Sequence, residues 1–176
     1  MAKKKKTKKK NLGLSLTMIL LAIAILGFSW IFRYEFFPQL IKDGIEVHFL
    51  TKNGEDKIVK YPYNSANGTR FKCAITELIK GPSTIQKILN TYSEIPVGTQ
   101  IIAVIESKDK NIIDLTSEFN TGAGTESIYS KLSQLINTVE SNTEIPTYLF
   151  INGAQIEVFG GEGIMITQPL SKESLQ

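Results

Sequence analysis

The chain of 176 residues contains a single cysteine, Cys73, and a single histidine, His48. One cysteine cannot form an internal disulfide, so the fold must be held together by its hydrophobic core. One histidine and one cysteine also supply too few ligands for a zinc site, which takes four. We therefore expect no disulfide framework, no structural metal and no cofactor.

Charge is missing altogether from residues 12–32, a run of twenty-one residues. As a helix, this run would be about 31 Å long, which matches a hydrocarbon core of about 30 Å. Residues 1–11 carry seven lysines, and the positive-inside rule keeps such a segment in the cytoplasm. The pattern predicts a single-pass signal-anchor in a bacterial cytoplasmic membrane, with everything after Arg33 outside the cytoplasm.

Two other kinds of N-terminal segment resemble an anchor and must be weighed. A lipoprotein would need a cysteine directly after the apolar run, and none is there. A cleavable signal peptide is the remaining alternative, because Ala22 and Ala24 form a small-x-small motif. The apolar run continues past that motif to Phe32, which favours a retained anchor. Residues 33–44 are then a tether that reaches at most about 40 Å.

The part of the chain beyond the predicted anchor is acidic. Residues 34–176 contain twelve basic and seventeen acidic residues, a net charge of −5. A nucleic-acid-binding domain needs a basic surface to displace counterions from phosphates, so the outer domain is not expected to bind nucleic acid. Its size fits one domain, which we place at residues 45–165, followed by a loose C-terminal tail at 166–176.

The first half of this domain is predicted to be a hairpin followed by two helices. Alternating residues at 45–50 and 58–61 indicate two strands, joined at Asn53-Gly54. From Thr69 the apolar residues follow a helical period until Gly81-Pro82 ends the helix. A shorter helix at 83–89 is expected to begin at the Ser83 cap and to bury Ile85, Ile88 and Leu89.

The second half is predicted to contain a second hairpin, a long helix and two strands. The hairpin pairs residues 100–106 with 111–115, and the helix is expected to be capped by Thr125. Its apolar stripe consists of Ile128, Leu132, Leu135, Ile136 and Val139. Strands at 148–151 and 156–159 flank the turn Asn152-Gly153. The order β-β-α-α-β-β-α-β-β predicts an α+β fold, a small mixed sheet with helices on one face.

Several short motifs occur in the order found in one known family. They are Glu77-Leu78-Ile79-Lys80-Gly81-Pro82, Ile95-Pro96 with Gly98-Thr99, Ile113-Asp114-Leu115-Thr116 with Glu118-Phe119, Ile136-Asn137-Thr138 and Ile151-Asn152-Gly153. Over residues 45–170 the sequence thereby resembles the GerM domain, also called GerMN. It departs from many members in having a plain apolar helix instead of a lipoprotein cysteine, and in having room for one domain copy.

The resemblance implies an extracytoplasmic domain associated with sporulation and spore germination, or with the envelope in bacteria that make no spores. Similar folds build rings from neighbouring copies. The implied function is a non-catalytic binding or assembly module, whose partners would be other envelope proteins or further copies of the chain. The alternative is a module that senses an envelope ligand such as a peptidoglycan fragment.

The residues that could carry catalysis favour structural roles. A lone strand histidine such as His48 is usually structural, and Cys73 lies on an apolar helix far from it in sequence. Asp114 and Glu118 lie at the end of a strand, where carboxylates form turn and cap hydrogen bonds. Gly160-Gly161-Glu162-Gly163 lacks the lysine and the helix of a phosphate loop. We predict no enzyme and no catalytic, metal or cofactor residues; a hydrolase would need His48 beside Cys73 or a carboxylate.

Two structural features would separate the binding hypotheses. A pocket lined by aromatic residues such as Phe49, Tyr61 and Phe119 would favour a ligand sensor. A flat, apolar and open sheet edge would favour assembly.

Overall fold

The computed structural model describes residues 18–29, 41–122, 124–160 and 163–175. The chain divides into two units, residues 1–40 and 41–176. In the first unit, residues 18–29 form helix α1, and its large apolar side chains are exposed, from 53% for Ile19 to 70% for Leu26. The rest of the predicted anchor, the lysine-rich tail and most of the tether lie outside the described residues. Over the residues described, no helix has both the length and the apolar character needed to cross a bilayer.

The second unit begins with the predicted hairpin. Strands β1 (Gly44–Leu50) and β2 (Asp56–Pro62) pair antiparallel over their full lengths. At the turn, Gly54 donates to the carbonyl of Thr51 over 3.0 Å and has a φ of 81°, a conformation that glycine adopts without steric cost. The prediction of a hairpin turning at Asn53-Gly54 is confirmed.

Helix α2 (Arg70–Lys80) also forms as predicted. The Thr69 side chain caps it by accepting from the Lys72 N–H, and Phe71, Ala74, Ile75 and Leu78 form its buried face. Gly81 ends it with a φ of 79° and donates its N–H to the carbonyls of Glu77 and Leu78. The local signals and the apolar period agree here, and the helix follows both.

The short helix α3 (Thr84–Ile88) has the predicted Ser83 cap but a different buried face. Ile88 is 78% exposed and Leu89 is 36% exposed, whereas Gln86 is 6% exposed. The prediction that Ile88 and Leu89 face inward was wrong, and Ile85 is half-buried. The Gln86 carboxamide oxygen accepts from the Ser83 N–H over 2.8 Å and from the Tyr61 hydroxyl over 2.9 Å. A one-turn helix is oriented by these bonds because its two apolar side chains alone bury little surface.

A four-stranded mixed sheet forms the second half of the domain. Its strands lie in the order β3 (Ile101–Glu106), β4 (Asn111–Leu115), β5 (Thr147–Ile151) and β6 (Ala154–Gln155). The β3–β4 and β5–β6 pairs are antiparallel and β4–β5 is parallel. The chain crosses from β4 to β5 through helix α4 (Thr125–Asn142), as parallel strands require a long connection.

Helix α4 buries the whole predicted apolar stripe, together with Lys131, Gln134 and Thr138. Its cap differs from the prediction: Gly124 occupies the N-cap position with a φ of 90°, and no side chain makes a capping bond there. Thr125 is instead the first helical residue. The glycine takes the cap position because it can adopt the left-handed backbone that the preceding loop requires.

The C-terminal segment differs most from its prediction. The strand expected at residues 156–159 is replaced by short pairs, β6 with β5 and β7 (Val158–Phe159) with β8 (Ile164–Met165). The expected loose tail is packed, with Ile166, Leu170 and Ser174 all below 7% exposed. Leu170 donates to the carbonyl of Thr147 over 2.7 Å, and the Gln168 side chain bonds Leu149 and Ile156. The residues that make these bonds show neither a helical nor a strand period, so the packing of this segment was not predicted.

The fold class is α+β, but over the described residues the strands form three sheets instead of the one small mixed sheet expected. Helices α2 and α4 pack on each other and on β1, and one hydrophobic core joins them to the inner faces of β4 and β5. The hairpin β1–β2 remains separate from β3–β6, because helix α4 occupies the edge of β1 that faces away from β2.

Candidate functional site

His48 has polar partners on both sides of its ring. Its Nδ1 lies 2.9 Å from both carboxylate oxygens of Asp56, and its Nε2 lies 2.8 Å from the Ser141 hydroxyl. The imidazole is 8% exposed and the Asp56 side chain is 43% exposed. The carboxylate neighbour that a hydrolase would need is therefore present, and Ser141, the third member of the group, was not predicted.

The order Asp56–His48–Ser141 is that of an acyl-transfer triad, but its surroundings differ from those of a catalytic site. Ser141 lies in the last turn of α4, where the helix presents its partially negative end. The amide of Thr143, just past the end of the helix, donates to the Val139 carbonyl over 3.0 Å. Oxyanion stabilisation needs N–H donors aimed at the substrate oxygen that becomes charged, and the Thr143 amide is already bonded to its own helix. The three side chains instead join the hairpin β1–β2 to α4.

Cys73 is half-buried and is not among the hydrogen-bond partners of His48. Burial raises the pKa of its thiol above the usual 9.0, and the neighbouring Glu77 adds to that rise. Since the thiolate is the reactive form, Cys73 is a poor nucleophile near neutral pH. The structure does not bring the only cysteine and the only histidine together.

Asp114 and Glu118, the two candidate catalytic carboxylates, both accept hydrogen bonds. Asp114 is 9% exposed and accepts from the Gly153 N–H over 3.0 Å. Glu118 has a lowered pKa because the Thr116 hydroxyl and its own backbone N–H donate to it. Gly160 donates to Asn120 over 2.8 Å, while Gly161 and Glu162 lie outside the described residues. Among the residues that are described, no group of His, Cys, Asp and Glu is arranged to hold a metal ion.

Lys131 carries a buried charge that was not predicted from the sequence. It is 0% exposed and donates to the carbonyls of Phe119 and Thr121. Its ammonium also lies 4.9 Å from the centre of the Phe159 ring, within the range of a cation–π contact. Burial lowers the pKa of Lys131, and the charge of Glu94 partly offsets this. The lysine holds the 3-10 turn Ser117–Asn120 against α4, so its role is structural.

The free edge of β1 is closed by α4. The backbone N–H of His48 donates to the Thr138 hydroxyl over 2.9 Å, and the Asn142 side chain bonds both the N–H and the carbonyl of Glu46. At the end of the strand, Leu50 and Tyr92 exchange backbone bonds of 2.9 and 2.7 Å. A further strand cannot be added to β1.

The free edge of β2 is protected by its composition. The strand carries Asp56, Lys57 and Lys60 and ends at Pro62. Charged residues, lysine above all, and proline are the features that discourage edge-to-edge pairing. Ile58, 50% exposed, is the large apolar side chain that this strand presents to solvent.

The free edge of β3 has neither form of protection. Its sequence, Ile-Ile-Ala-Val-Ile-Glu, contains one charge, and β4 is its only partner strand in the described chain. Ile102 is 51% exposed and Ile105 is 55% exposed. Of the three edges, β3 is the open, apolar one that favours assembly.

The face of the sheet next to this edge is also apolar. The register places Ile105 beside Ile112 and Ile112 beside Tyr148, so the three side chains form a row across β3, β4 and β5. Ile112 and Tyr148 are half-buried. The other face of the sheet, which carries Ile113 and Leu149, belongs to the core that includes α2 and α4. The row continues the apolar character of the β3 edge across the sheet.

The aromatic residues proposed to line a ligand pocket do not do so together. Phe49 and Phe119 are 0% exposed core residues, and Tyr61 is bonded to Gln86. A cleft of about 520 Å³ lies instead between the end of α2 and residues 92–98, lined by Lys87, Tyr92, Ile95 and Pro96 among others. Tyr92 is the aromatic residue in its lining.

The chain is similar to known proteins both in sequence and in fold. The family model described as "Germane: Sporulation and spore germination" matches residues 46–157. The first GerMN domain of the sporulation protein GerM from Bacillus subtilis is structurally similar, with a TM-score of 0.57 and 21% identity, over 74% of this chain and 98% of that one. A comparison with curated proteins gave no match.

The tandem GerMN domains of the same Bacillus subtilis protein are also similar. Their TM-score is 0.56 at 19% identity, and the match covers 74% of this chain and 46% of the tandem chain. This chain therefore spans about half the length of the tandem structure. At these identities the two solved structures show a shared fold.

Proposed function

The chain belongs to the Germane family of sporulation and spore germination, and on this premise we propose that residues 45–165 form a non-catalytic binding and assembly module of the bacterial cell envelope. The module would act outside the cytoplasm, with residues 12–32 as a single-pass anchor in the cytoplasmic membrane and residues 1–11 inside the cell. Its partners would be other envelope proteins or further copies of the chain.

The proposal of an anchor rests on composition and on helix α1. The run 12–32 is uncharged and follows seven lysines, and its described part, 18–29, is helical with exposed apolar side chains. An apolar surface of this kind is stable in lipid and costly in water. A protease added to intact spheroplasts is expected to remove a C-terminal tag while leaving an N-terminal tag intact, and the reverse pattern would overturn the proposed topology.

The observation that carries the proposal of assembly is the open apolar edge of β3. A strand that lacks a partner presents unpaired N–H and C=O groups, and proteins normally shield such an edge unless it binds something. In this domain the β1 edge is closed and the β2 edge is charged, whereas β3 exposes Ile102 and Ile105. Selective exposure of one edge supports docking at that edge.

Photo-crosslinking in native membranes tests this directly. The full chain is expressed with benzoylphenylalanine in place of Ile105 or, as the control, in place of Ile58, which is similarly exposed on β2. We expect covalent adducts from position 105 at several times the yield from position 58. Equal yields at both positions, or adducts at neither, would refute docking at β3.

The alternative function, recognition of an envelope ligand, is favoured by one observation, the cleft beside Tyr92. A peptidoglycan sugar could stack on that ring. Titration of the full chain in detergent with soluble peptidoglycan fragments would give saturable binding that Tyr92→Ala abolishes and Tyr148→Ala preserves. Absence of saturable binding would remove this alternative.

A further inference from the structure

We propose that the partner at the β3 edge is a second copy of this chain, paired antiparallel through β3 about a two-fold axis that passes at Ile105. This inference rests on the proposed function and names the partner of the same surface. It follows from the direction of the backbone groups, from the side chains that would meet and from the state of the other edges.

The hydrogen bonds of the β3–β4 hairpin determine which backbone groups point outward. Ser107 donates to the Lys110 carbonyl over 3.0 Å, and at the other end Thr116 donates to the Gln100 carbonyl over 3.0 Å. Bonded and non-bonded pairs alternate along an antiparallel ladder. The Ile105–Ile112 pair is therefore a bonded one, and the N–H and C=O groups of Val104 and Glu106 point away from β4.

A bulge limits where a second strand can pair. The register shifts between Ile101 and Ala103, so the regular part of the edge begins at Ala103. A two-fold axis at Ile105 pairs Val104 of each copy with Glu106 of the other, which satisfies all the outward groups of both residues with four backbone bonds. An axis placed nearer the N-terminal end would use the irregular residues of the bulge.

The same register brings together side chains that are otherwise exposed. The two copies of Ile105 lie directly opposite each other in a non-bonded pair, where side chains approach most closely. Ile105, Ile112 and Tyr148 already form a row in one copy, and the axis would extend that row across six strands. The two Glu106 side chains lie on either side of the axis, each beside its own Thr69, so like charges do not meet.

A second copy is favoured over an unlimited fibre by the state of the other edges. Two-fold pairing uses the same strand in both copies and leaves none of that edge free. The remaining long edges are β1, closed by α4, and β2, which is charged, while β6 has two residues. Pairing through β3 is then expected to stop at a dimer.

Disulfide trapping tests the register in the full chain in native membranes. The variant Ile105→Cys is made with Cys73→Ser, so that each chain has one thiol. Directly paired strands place the two Cα atoms about 4.5 Å apart, within the range of a disulfide. Mild oxidation is expected to convert most of the Ile105→Cys chain into a covalent dimer of twice the mass.

Two variants in the same Cys73→Ser background serve as controls. Ala103→Cys lies on the same face but two residues from the axis, and Ile58→Cys lies on the β2 edge with similar exposure to Ile105. Both are expected to give at least tenfold less dimer. Equal trapping at all three positions would overturn the inference, because it would reflect random collision.

The two experiments together distinguish pairing with a second copy from docking of any partner at β3. If Ile105→Cys forms no dimer while photo-crosslinking at position 105 captures a different protein, the second copy is excluded and docking at β3 stands. If neither experiment gives a product, both are excluded.

Discussion

The backbone N–H of His48 donates to the hydroxyl of Thr138 over 2.9 Å, which binds the edge of β1 to the flank of α4. Thr138 is 0% exposed, so water cannot replace the bond. The contact occupies the edge of β1 that faces away from β2, so β1–β2 remains a separate hairpin.

Replacement of Thr138 by valine is expected to destabilise the domain. The substitution keeps the shape of the side chain and leaves the buried N–H of His48 unsatisfied, which costs about 1–3 kcal/mol in the free energy of unfolding. Urea denaturation of the full chain in detergent measures the change. Thr76→Val, at an exposed position of α2, is the control and should stay within about 0.5 kcal/mol of the wild type. Equal effects would contradict the role given to Thr138.

Lys131→Met is expected to lower the free energy of unfolding by about 1–2 kcal/mol, because the carbonyls of Phe119 and Thr121 lose their donor. The effect should depend on pH. Burial lowers the pKa of Lys131 below its usual 10.5, so between the lowered value and 10.5 only the unfolded chain holds the proton. The contribution of Lys131 to stability therefore rises with pH across that window.

Unfolding titrations of the wild type and Lys131→Met between pH 7 and 10.5 measure this difference. The gap between the two proteins should widen toward the alkaline end. Lys87→Met, an exposed lysine on α3, should show no such widening. A gap that narrows as the pH rises would mean that the folded chain holds the proton more tightly than the unfolded one.

The orientation of α3 predicts a large loss of stability on substitution of Gln86 and a small one on substitution of Ile88. Gln86→Leu removes the oxygen that accepts from Ser83 and Tyr61 and should cost about 1–3 kcal/mol. Ile88→Ser changes a side chain that is 78% exposed and should cost less than about 0.5 kcal/mol, as most surface substitutions do. Thermal unfolding of the two variants would contradict the structure if Ile88→Ser were the more damaging.

The packed C-terminal segment predicts that Leu170 contributes to the core. Leu170 is 6% exposed, and Leu170→Ala should destabilise the chain by about 2–3 kcal/mol. Lys172→Ala, which removes an exposed ion pair with Glu140, should change stability by less than about 1 kcal/mol. A loose tail would make both substitutions neutral in the same denaturation assay.

The sequence predicted the elements whose local and long-range signals agree. The hairpin at Gly54 and helix α2 between Thr69 and Gly81 combine turn or cap chemistry with a clear apolar pattern. The buried stripe of α4 followed from its apolar period alone. The resemblance to the GerM domain is likewise confirmed by the match to residues 46–157 and by the shared fold.

The features that could not be predicted depend on contacts between distant residues. His48 and Ser141 are 93 positions apart in the sequence, and Gln168 and Leu149 are 19 apart. Neither hydrogen bond can be inferred from a local sequence pattern. Lys131 was missed because a lysine within an apolar stripe is normally at the surface. The open edge of β3 was anticipated as a type of feature, but its location became clear only from the order of the strands.

The most direct test of the account is the size of the complex that the full chain forms in gently solubilised native membranes. Native electrophoresis is expected to show the wild type and Ile58→Lys in a complex larger than one chain, and Ile105→Lys at the mass of a single chain, because a charge at the centre of the β3 edge opposes pairing. If Ile105→Lys remains in a complex of wild-type size, assembly through β3 is wrong.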